Sequence, residues 1–93
     1  MNSRIRIFIY GEVQGVFFRA NTTSTAKKLG ITGFVRNRTD GSVEVVAEGD
    51  KQKLEKLREW CSHGPEAAIV EKVKSEWEEY KGEFSDFTAT SSV

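Results

Sequence analysis

The strongest restriction on the fold of this 93-residue chain is the order in which two spacings of apolar residues follow one another. In residues 4–11, RIRIFIYG, isoleucine occupies every second position, which is the period of a half-buried β-strand. After a loop with two glycines, Thr22, Ala26 and Leu29 recur at helical spacing up to Gly30, a residue that commonly ends a helix. The first third of the chain therefore predicts a strand followed by a helix.

Residues 31–49, ITGFVRNRTDGSVEVVAEG, contain two β-like runs that meet at Asp40 and Gly41. An Asp-Gly pair is typical of a tight hairpin turn, so the second and third strands are expected to be antiparallel neighbours. Asp50 is a suitable cap for the next segment, in which apolar residues line one side until a Gly-Pro pair at 64–65 ends it. This apolar side, which predicts the second helix, consists of Leu54, Leu57 and Cys61.

Alternation returns in residues 69–80, where Val73 and Trp77 share one face, and a short run FSDFTAT follows. We expect a fourth strand, a possible short fifth strand, and fraying of residues 90–93. The order βαββαβ is that of the α+β, ferredoxin-like split βαβ sandwich, with two helices on one face of an antiparallel sheet. Its right-handed crossover returns the second strand parallel to the first, with another strand between them. The loop after the first strand and Asn37 then share one edge.

Composition excludes several classes of function. The chain is 38% hydrophobic and 30% charged, with 14 basic and 14 acidic side chains, which predicts one domain over residues 1–93 that binds neither nucleic acid nor membrane. Residues 1–49 carry seven basic and four acidic side chains, and residues 50–93 carry seven and ten, so the first half would attract an anion. The single cysteine and the absence of an apolar leader favour a reducing, cytoplasmic location, and a monomer is expected.

The loop GEVQGVFFR, residues 11–19, has the features of an anion site. Gly11 and Gly15 permit unusual backbone angles and the close approach of a ligand. Amides of such a loop and of the first helical turn form a concave cradle, and Arg19 adds a planar fork of donors matched to phosphate. The alternative is an ordinary glycine-rich connection with a surface arginine. The expected backbone cradle consists of Gln14, Gly15, Val16, Phe17, Phe18 and Arg19.

Other candidate residues have simpler explanations. Phe17 and Phe18 are expected to fill the core, with at least one fixing the shape of the loop, and Asn37 is either a turn residue or a functional side chain on a strand. His63 at the end of the second helix predicts a capping or solvated role, and Cys61 predicts a buried apolar one. The acidic residues 76–83 predict a solvated face instead of a Mg²⁺ site, and no metal or cofactor is expected.

Two segments resemble the acylphosphatase family. GEVQGVFFR is similar to its signature loop, Gly-x-Val-Gln-Gly-Val-x-Phe-Arg, and residues 33–45, GFVRNRTDGSVEV, resemble its second segment, an asparagine before an Asp-Gly hairpin. Residues 26–33 and 64–73 also look like family sequence, so the resemblance covers nearly the whole chain. Phe34 stands where many relatives have tryptophan, and residues 21–25 are unusually rich in small polar side chains, which puts helix stability more than chemistry in question.

The resemblance implies a ferredoxin-like fold and hydrolysis of acyl phosphates to a carboxylate and inorganic phosphate. It implies that Arg19 binds the phosphate and that Asn37 orients the attacking water. The sequence leaves two alternatives open. One is a non-catalytic anion-binding or interaction domain, because fold does not fix function. The other is an RNA-binding module, which residues 7–10, IFIY, resemble but which the third strand, without an aromatic residue, does not support.

Overall fold

The computed structural model describes residues 1–90, which form two helices packed on one face of a five-stranded sheet. The predicted order βαββαβ and the fifth strand are confirmed. The elements are β1 Asn2–Glu12, α1 Phe18–Lys28, β2 Thr32–Asn37, β3 Val43–Asp50, α2 Lys51–His63, β4 Ile69–Glu78 and β5 Phe87–Ala89. Thr90, which was expected to fray, donates a backbone hydrogen bond to Val35; residues 91–93 lie outside the described residues.

The strands lie in the order β4-β1-β3-β2-β5. β3 is antiparallel to both β1 and β2, so β2 runs parallel to β1 with β3 between them, as expected. The expectation of a wholly antiparallel sheet is wrong at one edge, because β5 pairs parallel to β2. The segment between β4 and β5 carries the chain from one edge of the sheet to the other, and this crossing fixes the direction in which β5 arrives.

The core lies between the sheet and the helices. The three alternating isoleucines of β1 are fully buried, as are the three residues on the predicted apolar side of α2, which confirms both predicted periodicities. Asp50 occupies the N-cap of α2 with extended backbone angles, and Gly64 is its C-cap. Asp40 accepts a hydrogen bond from the amide of Ser42, so the predicted Asp-Gly turn joins β2 to β3.

The opposite face of the sheet carries a cluster of ion pairs. Arg4 and Glu48 are both buried there, and Arg4 also pairs with Glu78 and Glu83. Glu78 in addition contacts Arg6 at 2.9 Å. The expectation that residues 76–83 form only a solvated face is therefore wrong for Glu78, which is half-buried, because its partners on β1 lie far away in the sequence and periodicity cannot reveal them. Glu83 remains exposed although it pairs with Arg4.

Candidate active site

A pocket of about 420 Å³ lies where the loop after β1, the first turn of α1, the end of β2 and β5 meet. Arg19 and Asn37, the two catalytic candidates of the sequence analysis, both line it. The βαβ crossover causes this meeting, because it brings the C-terminal ends of the parallel strands β1 and β2 to one edge of the sheet. The full lining consists of Val13, Gly15, Phe17, Phe18, Arg19, Ala20, Asn37 and Ala89.

The loop backbone at this pocket alternates in the sign of φ, which is a feature of anion-binding nests. Gly15 and Phe17 have positive φ values of 74° and 61°, whereas Val16 between them does not. Such alternation points successive amides toward a common side of the chain. Within residues 1–90, the amides of residues 15–20 make no hydrogen bond to another protein group, so they remain able to bind a ligand. The first turn of α1 adds partial positive charge at the same place.

Arg19 is held on one side by Thr90, the residue that follows β5. One terminal nitrogen, Nη1, donates to the carbonyl oxygen of Thr90 at 2.9 Å, and the Thr90 amide in turn donates to Val35 of β2. This contact orients the guanidinium at the pocket wall and occupies only part of its donor set, since a guanidinium carries five N–H groups. No sequence signal predicted the role of Thr90, because β5 reaches the site from the far end of the chain.

Asn37 is the last residue of β2 and pairs with Val43 across the hairpin. Its side-chain oxygen, Oδ1, is buried and has no hydrogen-bond partner among residues 1–90. A buried acceptor without a partner is costly to stability, and such groups concentrate where a ligand or water completes the bonding. Asn37 therefore lies on a strand at the pocket and not within the turn. This position agrees with the interpretation of Asn37 as a side chain on a strand.

Gln14 connects the two halves of the site through its side chain. Its Nε2 donates to the carbonyl oxygens of Arg38 at 2.8 Å and Ser42 at 2.9 Å, which are the residues that flank the turn after β2. Gln14 and Val16 do not line the pocket within the described chain, and Val16 packs against the core. Both residues were predicted to contribute only their backbone, and no local sequence pattern indicates the contact between Gln14 and the hairpin.

Gly11 serves the sheet instead of the pocket. It lies at a register shift between β1 and β4, with φ 131°, and a Cβ atom there would lie 2.1 Å from the carbonyl oxygen of Ile69. The expectation that Gly11 lets a ligand approach is therefore wrong. Glycine at this position instead allows the backbones of β1 and β4 to pack closely. A methyl group added at Gly15 would have no neighbour within 4 Å, so this position requires glycine only for its positive φ.

The remaining candidates have structural positions. Phe18 is buried and contacts Trp60 edge-to-face, as expected of a core residue. Phe17, in contrast to the expectation, is 80% exposed, because its left-handed backbone turns the side chain away from the core.

Cys61 is buried, which raises the pKa of its thiol to about 12. The exposed side chain of His63 lies 3.2 Å from Glu59 on the same helix. In residues 1–90, no group of three or more His, Cys, Asp or Glu side chains is arranged to hold a metal ion.

Comparison with known proteins agrees with this arrangement. A sequence model of the acylphosphatase family matches residues 5–89. The acylphosphatase of Pelotomaculum thermopropionicum is 53% identical over 85 residues, which cover 91% of this chain and 92% of that protein. The acylphosphatase structure from Coxiella burnetii has a TM-score of 0.91 at 37% identity, covering 96% of this chain and 93% of that one. The structure from Bacillus subtilis also has a TM-score of 0.91, at 31% identity and coverage of 97% and 99%. With a matching family model over most of its length and relatives above 50% identity, the chain belongs to the acylphosphatase family.

Proposed function

We propose that this chain hydrolyses acyl phosphates to a carboxylate and inorganic phosphate. The observation that carries the proposal is that Arg19 and the buried, unpartnered Oδ1 of Asn37 line one pocket together with the loop after β1. A cationic fork and a lone buried acceptor are the two groups that a phosphate and an attacking water require. Acylphosphatase is also the name of the relatives that this chain resembles over most of its length.

In this proposal the phosphoryl group is bound by the amides of residues 15–19 and by the guanidinium of Arg19. Phosphoryl transfer depends chiefly on positioning and on stabilising charge on the phosphoryl oxygens. Fixed amides and a fixed guanidinium do this without reorganising during the reaction. The contact from Arg19 to Thr90 supports such fixation, because it restricts the side chain before substrate arrives.

Asn37 holds the attacking water by accepting one of its hydrogens at Oδ1. The water oxygen forms a bond to phosphorus while the bond from phosphorus to the acyl oxygen breaks, and the carboxylate leaves with the electron pair. The proton of the water passes to a phosphoryl oxygen, so no protein base takes part. No general acid is needed either, because a carboxylate with a pKa of about 4 is a stable leaving group near neutral pH.

We propose a cytoplasmic monomer that binds an acyl phosphate or inorganic phosphate and neither nucleic acid nor membrane. The third strand carries no aromatic residue and the chain has as many acidic as basic side chains, which supports this over base stacking. In the described part of the chain, no helix is long and apolar enough to cross a membrane.

Turnover of benzoyl phosphate and acetyl phosphate by the wild-type protein and by Arg19→Ala tests the proposal. We expect the wild-type protein to release inorganic phosphate and Arg19→Ala to lose at least about a hundredfold in kcat/KM, the scale of one lost fixed donor. Arg19→Lys should recover little of this, because an ammonium lacks the planar fork that contacts Thr90 and phosphate together.

Arg58→Ala is the matched control, because this arginine lies on α2 and contacts Ser75 outside the pocket. It should retain wild-type turnover. A wild-type protein that binds phosphate without hydrolysing either substrate would be an anion-binding domain and would refute the enzymatic proposal. Near-normal turnover in Arg19→Lys would refute the bidentate role of the guanidinium.

A further inference from the structure

Phe17 combines two unfavourable features at the edge of the candidate active site. Its side chain is 80% exposed although it is a large apolar group, and its backbone has the left-handed angles φ 61° and ψ 23°. Left-handed angles cost a residue with a Cβ atom stability, and bulky residues rarely adopt them. Strained residues of this kind cluster at ligand sites, so the observation invites a functional explanation.

The pocket beside Phe17 is larger and more apolar than a phosphate needs. Its volume of about 420 Å³ falls in the range of small-molecule sites, about 300–1,000 Å³, and a phosphate group fills only a small part of it. Apart from Arg19 the lining has no charged side chain within the described residues. The apolar part of this lining consists of Val13, Phe17, Phe18, Ala20 and Ala89.

We propose that Phe17 is a specificity-determining residue whose ring contacts the acyl portion of the substrate. The site then prefers acyl phosphates with aromatic or large apolar acyl groups. This inference rests on the proposed hydrolysis. The left-handed backbone at Phe17 lets its amide belong to the phosphate nest while its ring projects outward at the pocket edge. An aromatic acyl group bound there gains ring contacts that an acetyl group cannot make.

The test compares substrates in variants that preserve the backbone. Phe17→Gly and Phe17→Asn both accept left-handed angles, so they remove the ring without straining the loop. We expect the ratio of kcat/KM for benzoyl phosphate to that for acetyl phosphate to exceed one in the wild-type protein and to fall about fivefold in both variants, the scale of one lost aromatic contact. Phe17→Leu should give an intermediate ratio.

A binding measurement separates this inference from catalysis. Calorimetric titration with benzylphosphonate and methylphosphonate needs no turnover, and the preference for the benzyl compound should fall about fivefold in Phe17→Gly. Tyr80→Ala removes an exposed aromatic ring outside the pocket and should leave both ratios at their wild-type values.

The outcomes distinguish the two proposals. If the wild-type protein hydrolyses both acyl phosphates and the ratios do not change in the Phe17 variants, the inference about Phe17 is wrong and the proposed function stands. If the wild-type protein hydrolyses neither substrate, the proposed function fails, and with it the role of Phe17 in substrate choice, whatever the phosphonates show about binding.

Discussion

The side-chain nitrogen of Gln14 donates a hydrogen bond to the carbonyl oxygen of Arg38 at 2.8 Å, which joins the loop after β1 to the residue that directly follows Asn37. The same nitrogen donates to Ser42, so one amide group spans the two ends of the turn. Gln14 therefore links the loop that carries the proposed phosphate cradle to the strand end that carries the proposed water-binding side chain. We therefore expect Gln14 to act through other residues, as a positioning residue.

Replacing Gln14 with alanine should lower kcat about tenfold or more, because misplacing a catalytic group by a fraction of an ångström is costly to the rate. It should also lower the free energy of unfolding by about 1–2 kcal/mol, since two carbonyl oxygens lose their donor. Steady-state kinetics and urea unfolding measure the two effects. Gln52→Ala, an exposed position on α2, is the control. Unchanged kcat in a folded Gln14→Ala variant would contradict the positioning role.

Asn37→Ala should reduce kcat by at least about a hundredfold, because removal of one fixed polar group costs about 3 kcal/mol or more in comparable sites. Competitive inhibition by inorganic phosphate should remain largely intact, since in the proposed site Arg19 and the loop amides, not Asn37, hold the phosphate. Asn37→Asp should instead weaken inhibition, because a carboxylate repels the anion. Inhibition constants from initial rates distinguish these results. Loss of phosphate inhibition in Asn37→Ala would assign Asn37 to substrate binding.

The two glycines of the loop should differ in their effects, although the sequence presents them as a pair. Gly11→Ala should severely destabilise the protein or prevent folding, because the added methyl group would collide with the backbone of β4 at Ile69. Gly15→Ala meets no neighbour and should cost only about 1–2 kcal/mol of stability for its positive φ. Gly15→Ala should have its larger effect on inhibition by phosphate, which should weaken because Gly15 belongs to the proposed backbone cradle. Thermal unfolding measures the stabilities and initial rates with added phosphate measure the inhibition, and equal stabilities of the two variants would contradict this assignment.

The features that the sequence predicted are those that depend on local patterns of residues. The alternating isoleucines of β1, the apolar side of α2 and the turn at Asp40 each follow from a spacing or a residue pair, and the structure has all three. The topology then follows from the order of the elements and the handedness of the crossover. The meeting of Arg19 and Asn37 at one pocket is a consequence of that topology.

The features that the sequence did not predict depend on contacts between distant residues. The parallel pairing of β5, the contact of Arg19 with Thr90 and the burial of Arg4 against Glu48 join positions at least 44 residues apart, and neither partner carries a local signal. Phe17 differs in kind, because an aromatic residue in a loop usually fills the core, and here backbone geometry outweighs that tendency.

Glu48 illustrates how one such contact connects stability with pH. Its carboxylate accepts hydrogen bonds from the amides of Lys81, Gly82 and Glu83 and from Arg4, and it thereby holds the segment that leads from β4 to β5 on the outer face of the sheet. Burial by itself would raise the pKa of Glu48, but these hydrogen bonds outweigh it and the pKa lies below its ordinary value. The folded state therefore favours the charged form.

Because the folded-state pKa is lowered, the stabilisation from Glu48 is fully present above the unfolded pKa of about 4.3 and is lost as pH falls through the lower folded value. We expect the free energy of unfolding to be nearly constant from pH 6 to 8 and to fall below about pH 4. Glu48→Gln should lower it by about 3 kcal/mol near neutral pH, because Arg4 loses a buried partner, and should flatten the acid dependence. Urea unfolding at a series of pH values measures both effects.

Glu59→Gln is the matched control, because this glutamate is largely exposed on α2 and a surface ion pair contributes little. It should keep both the neutral-pH stability and the acid dependence of the wild-type protein. If Glu48→Gln lost stability in parallel with the wild-type protein below pH 4, the acid sensitivity would arise from the other carboxylates with a lowered pKa, Asp40, Asp50 and Glu78. If the stability of Glu48→Gln at neutral pH equalled that of the wild-type protein, the buried pair of Arg4 and Glu48 would not be what holds the segment before β5 on the sheet.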